Sequence, residues 1–169
     1  MLTLAQVKND IEHWIKTFVE VPHPGLDNWA PCPYAQKARA DGAFDVRLGG
    51  ASPLTDLIDL SCTGLATFDV IILVYDPAQH PYSEFHDQLN SANSRYLRPM
   101  DIIVLEDHPA DPEIVHGISM NQGTYALALV QRLSKLNDAA RLVAKKGFYN
   151  SWPEQYLQLL FKHRQDPRS

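Results

Sequence analysis

The sequence predicts an α/β fold: a small, mainly parallel sheet of three or more strands in βαβ units, flanked by helices, with an N-terminal helix and two C-terminal helices. Three observations carry that expectation. Strand-like segments at 44–48, 70–75 and 102–105 alternate with segments of helical period, which is the pattern of parallel βαβ units with crossover helices. Val70 to Tyr75 is an unbroken, β-branched apolar run, the mark of a strand covered on both faces. The chain of 169 residues is 45% hydrophobic and 21% charged, the balance of one globular domain. A chain of this length buries roughly 70% of its unfolded surface, so it builds a core without disulfide staples. Disordered, collagen-like and coiled-coil readings of the whole chain are excluded.

Each element has its own signal. Leu4, Val7, Ile11, Trp14, Ile15 and Phe18 recur at helical spacing behind the capping box Thr3-x-x-Gln6, giving a helix that ends before Pro22. The stretch 22–33 is proline-rich and contains Trp29, so it reads as a rigid loop with a buried aromatic. A short helix follows from Pro33 to about Ala40. After the strand Phe44–Leu48, Gly49-Gly50 turns the chain, and Ser52 with Pro53 caps and opens a helix ending at Gly64. Beyond the second strand, Ser83 reads as the cap of a helix carrying Phe85, Leu89, Ala92, Tyr96 and Leu97, which stops by Pro99. Ile102 to Leu105 is the third strand, and 106–123 reads as a polar loop. Tyr125, Leu129, Leu133, Leu136, Ala140 and Val143 fit one helical stripe closed by Gly147, and Ser151-Trp152-Pro153 opens a last helix through His163. The single domain divides into 1–43 (helix and Cys loop), 44–123 (βαβαβ core and loop) and 124–169 (C-terminal helices).

Charge and cysteine usage narrow the function classes. The formal net charge is −5, so a chain-wide nucleic-acid footprint is absent. From Val130 onward there are eight basic residues against three acidic ones, a local +5, while the first 129 residues carry −10. Cations near helix C-termini explain this tail, and a basic docking face for an acidic protein partner explains it too. Cys32 and Cys62 are the only cysteines, which suits a reducing compartment. The start has no basic n-region, and no apolar run approaches 18 residues. The expectation is a cytoplasmic protein without a membrane segment.

In an open parallel sheet, ligands bind beyond the carboxyl ends of the strands. That edge gathers Asp76, His80, Glu106, Asp107 and His108, with His86 in the first turn of the adjoining helix. Imidazoles with carboxylates suit iron, zinc or manganese. Without a metal, a histidine oriented by a carboxylate works as a general base near neutral pH. The expected metal ligands are His80, His86, His108 and Asp107. A surface loop in which Asp76 or Asp107 caps a turn fits the same residues. The Gly49-Gly50-x-Ser52 turn lacks a following lysine, and a tight strand-to-helix turn accounts for it.

Trp29-Ala30-Pro31-Cys32-Pro33-Tyr34-Ala35-Gln36-Lys37-Ala38 is the most distinctive stretch. A cysteine before a helix, with Lys37 nearby, is expected to have a lowered pKa and raised reactivity; a small buried hydrophobe is the plainer alternative. Cys62, near the end of an apolar helix stripe, reads as core. Trp14, Tyr149, Trp152 and Tyr156 read as core packing, with Phe148-Tyr149 and Trp152 alternatively forming a lid over the strand ends. Cys32-Pro33-Tyr34 resembles the head of a glutaredoxin active site over four residues, with Ala35 where dithiol forms carry a second cysteine.

A longer stretch is similar to an uncharacterised bacterial protein family with a Leu-Cys-Pro-Phe-Ala motif after an N-terminal helix. Cys32-Pro33-Tyr34-Ala35 corresponds to that motif, and Asp69-Val70-Ile71-Ile72-Leu73-Val74 to the family's buried strand. Phe85-His86-Asp87-Gln88-Leu89-Asn90 falls on an aromatic and acidic helix start, and His108-Pro109 on a His-Pro pair. Tyr125-Ala126-Leu127-Ala128-Leu129-Val130 resembles its closing helix. The resemblance spans 32 to about 145 and departs at Tyr34, at 109–123 and in the C-terminal extension. The family's activity is not established, so the resemblance implies an architecture and points to Cys32 and His108.

The expectation from sequence is therefore an enzyme or a ligand- or metal-binding protein, reaction unassigned, with Cys32, His108 and Asp107 as catalytic candidates. A single-cysteine thiol redox protein using Cys32 and a non-catalytic interaction module using the basic C-terminal helices are the alternatives. Small-molecule and protein partners fit these readings better than nucleic acid or membrane.

Overall fold

The computed structural model describes residues 1–169. Its strands are β1 (Phe44–Leu48), β2 (Val70–Tyr75), β3 (Ile102–Asp107), β4 (Ile114–Val115), β5 (Ile118–Ser119) and β6 (Ala126–Arg132). Its helices are α1 (Leu4–Trp14), α2 (Ala35–Ala40), α3 (Pro53–Thr63), α4 (Tyr82–Ala92), α5 (Leu133–Lys145) and α6 (Glu154–Leu160). No helix is long and apolar enough to cross a membrane.

The main sheet has the order β1-β2-β6-β3, and β4 with β5 forms a separate small hairpin. β1 and β2 pair in parallel, whereas β6 runs antiparallel to both β2 and β3. β1, β2 and β3 thus point the same way, as βαβ units require, but β6 is inserted between the second and third. The sheet is mixed, and the expectation of a mainly parallel sheet is corrected there. The same finding corrects 124–169, which is not all helical: Tyr125 precedes a strand and Leu129 lies within it. Ala126, Leu127, Ala128 and Val130 are fully buried, Leu129 partly so. A strand covered on both faces shows no alternation, and alanine with leucine also suits a helix. The long-range pairing to β2 and β3 decides the conformation.

Pleating divides the sheet into two faces. Ile71, Leu73 and Tyr75 share one face with Ala126, Ala128, Val130, Ile102 and Val104. α3 and α4 cover it with Leu57, Leu60, Phe85, Leu89 and Ala92. The two alanines of β6 let both helices sit low on the centre of the sheet. On the other face Val46, Ile72, Val74 and Leu127 pack under Val7, Ile11 and Ile15 of the first helix. That helix is capped by Thr3, whose Oγ1 accepts from the Gln6 N–H at 3.4 Å. It continues through a wider π-type turn at Ile15–Val19. The Tyr125 hydroxyl donates to Asp10 at 2.5 Å and latches α1 to the head of β6.

Turn chemistry is as the sequence reads at most points. Ser52 Oγ accepts from the Thr55 N–H at 3.3 Å with Pro53 behind it, and α3 ends at Gly64, whose φ is 75°. The Gly50 N–H goes to Asp56 Oδ2 at 2.8 Å, and the Tyr75 hydroxyl reaches the same oxygen at 2.8 Å, so the turn's own carboxylate fills it. A Cβ at Gly49 would lie 2.0 Å from the Tyr75 ring. α4 differs: it starts at Tyr82 behind Pro81, without a side-chain cap, so Ser83 lies inside the helix. The outer edge of β3 is closed by Asn93, whose amide gives a hydrogen bond to Val104 O and takes one from Val104 N, both at 2.9 Å.

The C-terminal aromatics are packed into a core of their own. Phe148, Tyr149, Trp152, Leu157 and Phe161 form a second core with Leu26 and Val115, against which Trp29 and Tyr34 pack. The proline-rich loop's tryptophan is thereby housed, its ring 5.4 Å from Phe148 edge to face. The last helix is also shorter than expected, ending at Leu160.

Candidate functional site

At the carboxyl ends of β2 and β3 the structure places the expected polar residues near one another, yet their bonding capacity is already used. His108 is buried, 3% exposed. Its Nε2 donates to the His80 carbonyl at 2.9 Å, and its Nδ1 accepts from the Ala110 N–H at 3.1 Å. Both ring nitrogens are engaged, so a metal on either would displace a hydrogen bond inside the loop. Asp107 is 5% exposed and accepts from the Gln122 N–H at 2.8 Å and from Asn121 Nδ2 at 2.9 Å. Burial raises the Asp107 pKa, opposed by those two hydrogen bonds. Asn121 in turn accepts from the Glu113 N–H at 2.7 Å. His108 and Asp107 are the posts to which loop 108–122 is tied.

His80 contributes its carbonyl, and its ring sits edge-on to Tyr75 at 5.1 Å. His86 Nδ1 lies 2.7 Å from Glu106 Oε1, and its Nε2 lies 2.7 Å from Asn90 Nδ2. Asn90 Oδ1 takes a hydrogen bond from His163 Nε2 at 2.9 Å. One arrangement satisfies all three contacts: His163 donates to Asn90, Asn90 donates to His86, and His86 donates to Glu106. The Tyr82 ring packs against His86 at 5.4 Å and His108 at 5.6 Å, and lies between the two imidazoles' networks. No three His, Cys, Asp or Glu side chains are grouped to hold a metal ion. His80, His86, His108 and Asp107 do not form such a group. What remains unspent at this end is acidic. Glu106 Oε2 is buried without a partner, and burial raises the pKa of this carboxyl despite His86. Glu113 is pushed up to about 8 by burial, then by Asp107, Asp111 and Glu106.

Cys32 is elsewhere. It precedes α2, its N–H bonded to the Val19 carbonyl at 3.0 Å. Burial raises its pKa, outweighing the N–H groups of Tyr34 and Ala35 and the more distant Arg164. Lys37 turns away to pair with Asp41 and is largely exposed. The expected low-pKa nucleophile is thus corrected: desolvation of the thiolate exceeds what a six-residue helix supplies. Cys62 is exposed rather than core. In the basic tail, Arg141 and Arg168 have acidic partners, Asp138 for the first, Glu154 and Asp166 for the second.

Cys32 does line a cleft of about 420 Å³. The floor is the second sheet face, through Phe44 of β1, Val70 and Ile72 of β2 and Leu129 of β6. One wall is the end of the first helix, with Trp14, Ile15 and Val19, and the next is the loop and helix from Cys32 to Ala38. The last wall is α5, with Leu136 and Ala139. Of eighteen lining residues thirteen are hydrophobic, so water inside it has few partners. The Tyr34 hydroxyl closes one corner by donating to the Ala139 carbonyl. α5 is held over the floor from its first turn, because Asp101 accepts from the Ser134 N–H at 2.8 Å and the Ser134 hydroxyl at 2.5 Å.

The cleft is polarised along the strands. Asp69, Gln131, Arg132, Lys135 and Lys37 sit where β2 begins and β6 ends, while Ile72 and Leu129 are register partners nearer the sheet centre. This is the opposite end of the sheet from His108, so the structure does not bring Cys32 to the histidines. Lys135 holds Asp69 at 2.9 Å. Arg132, the register partner of Ile102, belongs to the α3/α4 face of the sheet rather than to the cleft floor, and the Trp14 indole N–H is buried without an acceptor. Sequence reasoning assigned Trp14 to packing and Arg132 and Lys135 to a basic tail. No local signal corrects this, because four segments distant in sequence build the cleft.

Compared with protein-family models, curated proteins and solved structures, the chain matches none of them.

Proposed function

We propose that this protein binds a small, largely apolar molecule in the cleft between α1, α2 and α5. The observation that supports the reading is the cleft itself. Its volume of about 420 Å³ lies within the ~300–1,000 Å³ range of small-molecule sites, and its lining is hydrophobic with a few polar groups at one end. A helix pair closing normally over a sheet leaves no such space at native packing density. The strand-end cluster, by contrast, offers polar groups most of which are already paired.

The test is binding of a neutral, environment-sensitive dye such as Nile red, followed by fluorescence. Saturable enhancement is expected for the unaltered protein. Ala139→Phe, which fills the cleft from α5, should abolish the enhancement while the circular-dichroism melt stays cooperative. Dye binding that survives Ala139→Phe, or no saturable binding at all, overturns the reading.

A further inference from the structure

We propose that His86, Asn90 and His163 form a proton-operated clip that holds the C-terminal arm, residues 161–169, on α4 at neutral pH and releases it from α4 in acid. The inference is independent of the cleft and of its occupant.

The argument is one of hydrogen-bond direction. Asn90 stands between two imidazoles, its Nδ2 2.7 Å from His86 Nε2 and its Oδ1 2.9 Å from His163 Nε2. His86 is fixed on its other side, where Nδ1 lies 2.7 Å from Glu106 Oε1. A primary amide donates from its nitrogen and accepts at its oxygen, whereas a protonated imidazole donates from both nitrogens. A proton added to His163 leaves these bonds as they are. A proton added to His86 turns the amide over, and His163 then accepts at Nε2. With both rings protonated, two N–H groups need the one oxygen, and the amide nitrogen is forced against a donor. The clip therefore takes one added proton but not two, while the released arm leaves each ring free to take its own. Acid favours the state that binds more protons, so release follows from a fall in pH.

The surroundings of the clip oppose the second proton as well. Burial, then Lys162 beside it, Arg98 from the turns after α4 and His86 itself hold His163 below the usual imidazole range. Glu106 of β3 and the Tyr82 ring face His86, with Asp111 and His108 beyond them near Glu106. Elsewhere the arm is tied to α5 and α6, Gln165 to Arg141 and Asn137 and Arg168 to Glu154, so His163 makes its one hydrogen bond to α4.

Exchange of the Arg164 and Gln165 backbone amides, whose N–H groups bond Phe161 O and Asn137 Oδ1, reports the arm in the full chain. Between about pH 7.5 and about pH 5 their protection, corrected for intrinsic exchange, should fall about tenfold, the scale of one hydrogen bond lost across the imidazole range. Ile72 and Leu129 in the sheet should stay protected. Asn90→Asp is the deciding variant: a carboxylate has an acceptor for each protonated ring, so arm protection should no longer fall on acidification. His86→Gln leaves a single imidazole to protonate and should also remove the pH dependence. Arm protection that is equal at both pH values in the parent, or an acid loss that persists in Asn90→Asp, overturns the proposal. So does a loss shared by Ile72 and Leu129, which is unfolding of the whole chain.

Discussion

Two ends of one sheet contrast in this protein. The end where β2 and β3 finish holds histidines and carboxylates, the residue types that sequence reasoning associates with chemistry. Almost every one is committed: His108 to His80 and Ala110, Asp107 to Asn121 and Gln122, His86 to Glu106 and Asn90. The other end is lined mainly by tryptophan, isoleucine, valine, leucine and alanine, yet it encloses an open volume. The difference teaches that residue type is a poor marker of a site and open volume a better one. A polar cluster that satisfies itself is a structural knot.

The sharpest way to break this comparison is His108→Ala. If His108 is structural, removing it orphans the His80 carbonyl and the Ala110 N–H and opens a cavity. The expected loss is then about 3 kcal/mol in a denaturant titration, with cleft binding of the folded fraction unchanged. A melting temperature close to that of the unaltered protein would return His108 to the list of functional groups.

Glu113 gives a smaller, pH-dependent effect. Its folded pKa is raised from 4.5 to about 8, so between those values the native state keeps a proton that the unfolded chain has lost. Stability from this group is full below pH 4.5, falls as pH rises toward about 8, and is level above that. Glu113→Gln should flatten that slope and leave the variant more stable than the parent at pH 8 and above. A parent whose midpoint is constant across this window would contradict the burial of that carboxyl.

Arg132 should show the smallest change. Arg132→Gln removes no hydrogen bond or ion pair within the protein, so its unfolding free energy should stay within ~0.5 kcal/mol of the parent. A larger loss would mean that the guanidinium has a structural partner, and the contrast between the two ends would narrow.

How far the sequence reveals all this depends on how local each signal is. α1, α3, β1, β2 and β3 lie close to the expected bounds because capping box, Ser-Pro start, glycine stop and apolar runs are written within a few residues. β6 reads as helix because Tyr125, Leu129, Leu133 and Leu136 satisfy a helical period by coincidence of a buried strand running straight into α5. Its real determinants are Ile71, Leu73, Val104 and other residues far away in the chain. The polar strand ends were legible as a cluster but not as a saturated one, since the partners are mostly backbone groups of a loop. The cleft was not legible at all. The helix start after Cys32 suggests a reactive thiol, and burial, which sequence reports poorly, reverses the direction of its pKa shift.

The placement of β6 also has a consequence for how the chain comes into being. β1, β2 and β3 are synthesised first, but β2 and β3 never touch along their edges and wait for the strand that joins them. Until residue 132 has been made, the nascent chain holds facing strand edges with nothing between them. The pairing that fills the gap is antiparallel and non-local, the kind that forms slowly. Through that interval the unfilled slot is a template for a strand of any neighbouring chain. The step most exposed to misassembly is thus the insertion of Ala126–Arg132, the segment whose own sequence least resembles a strand.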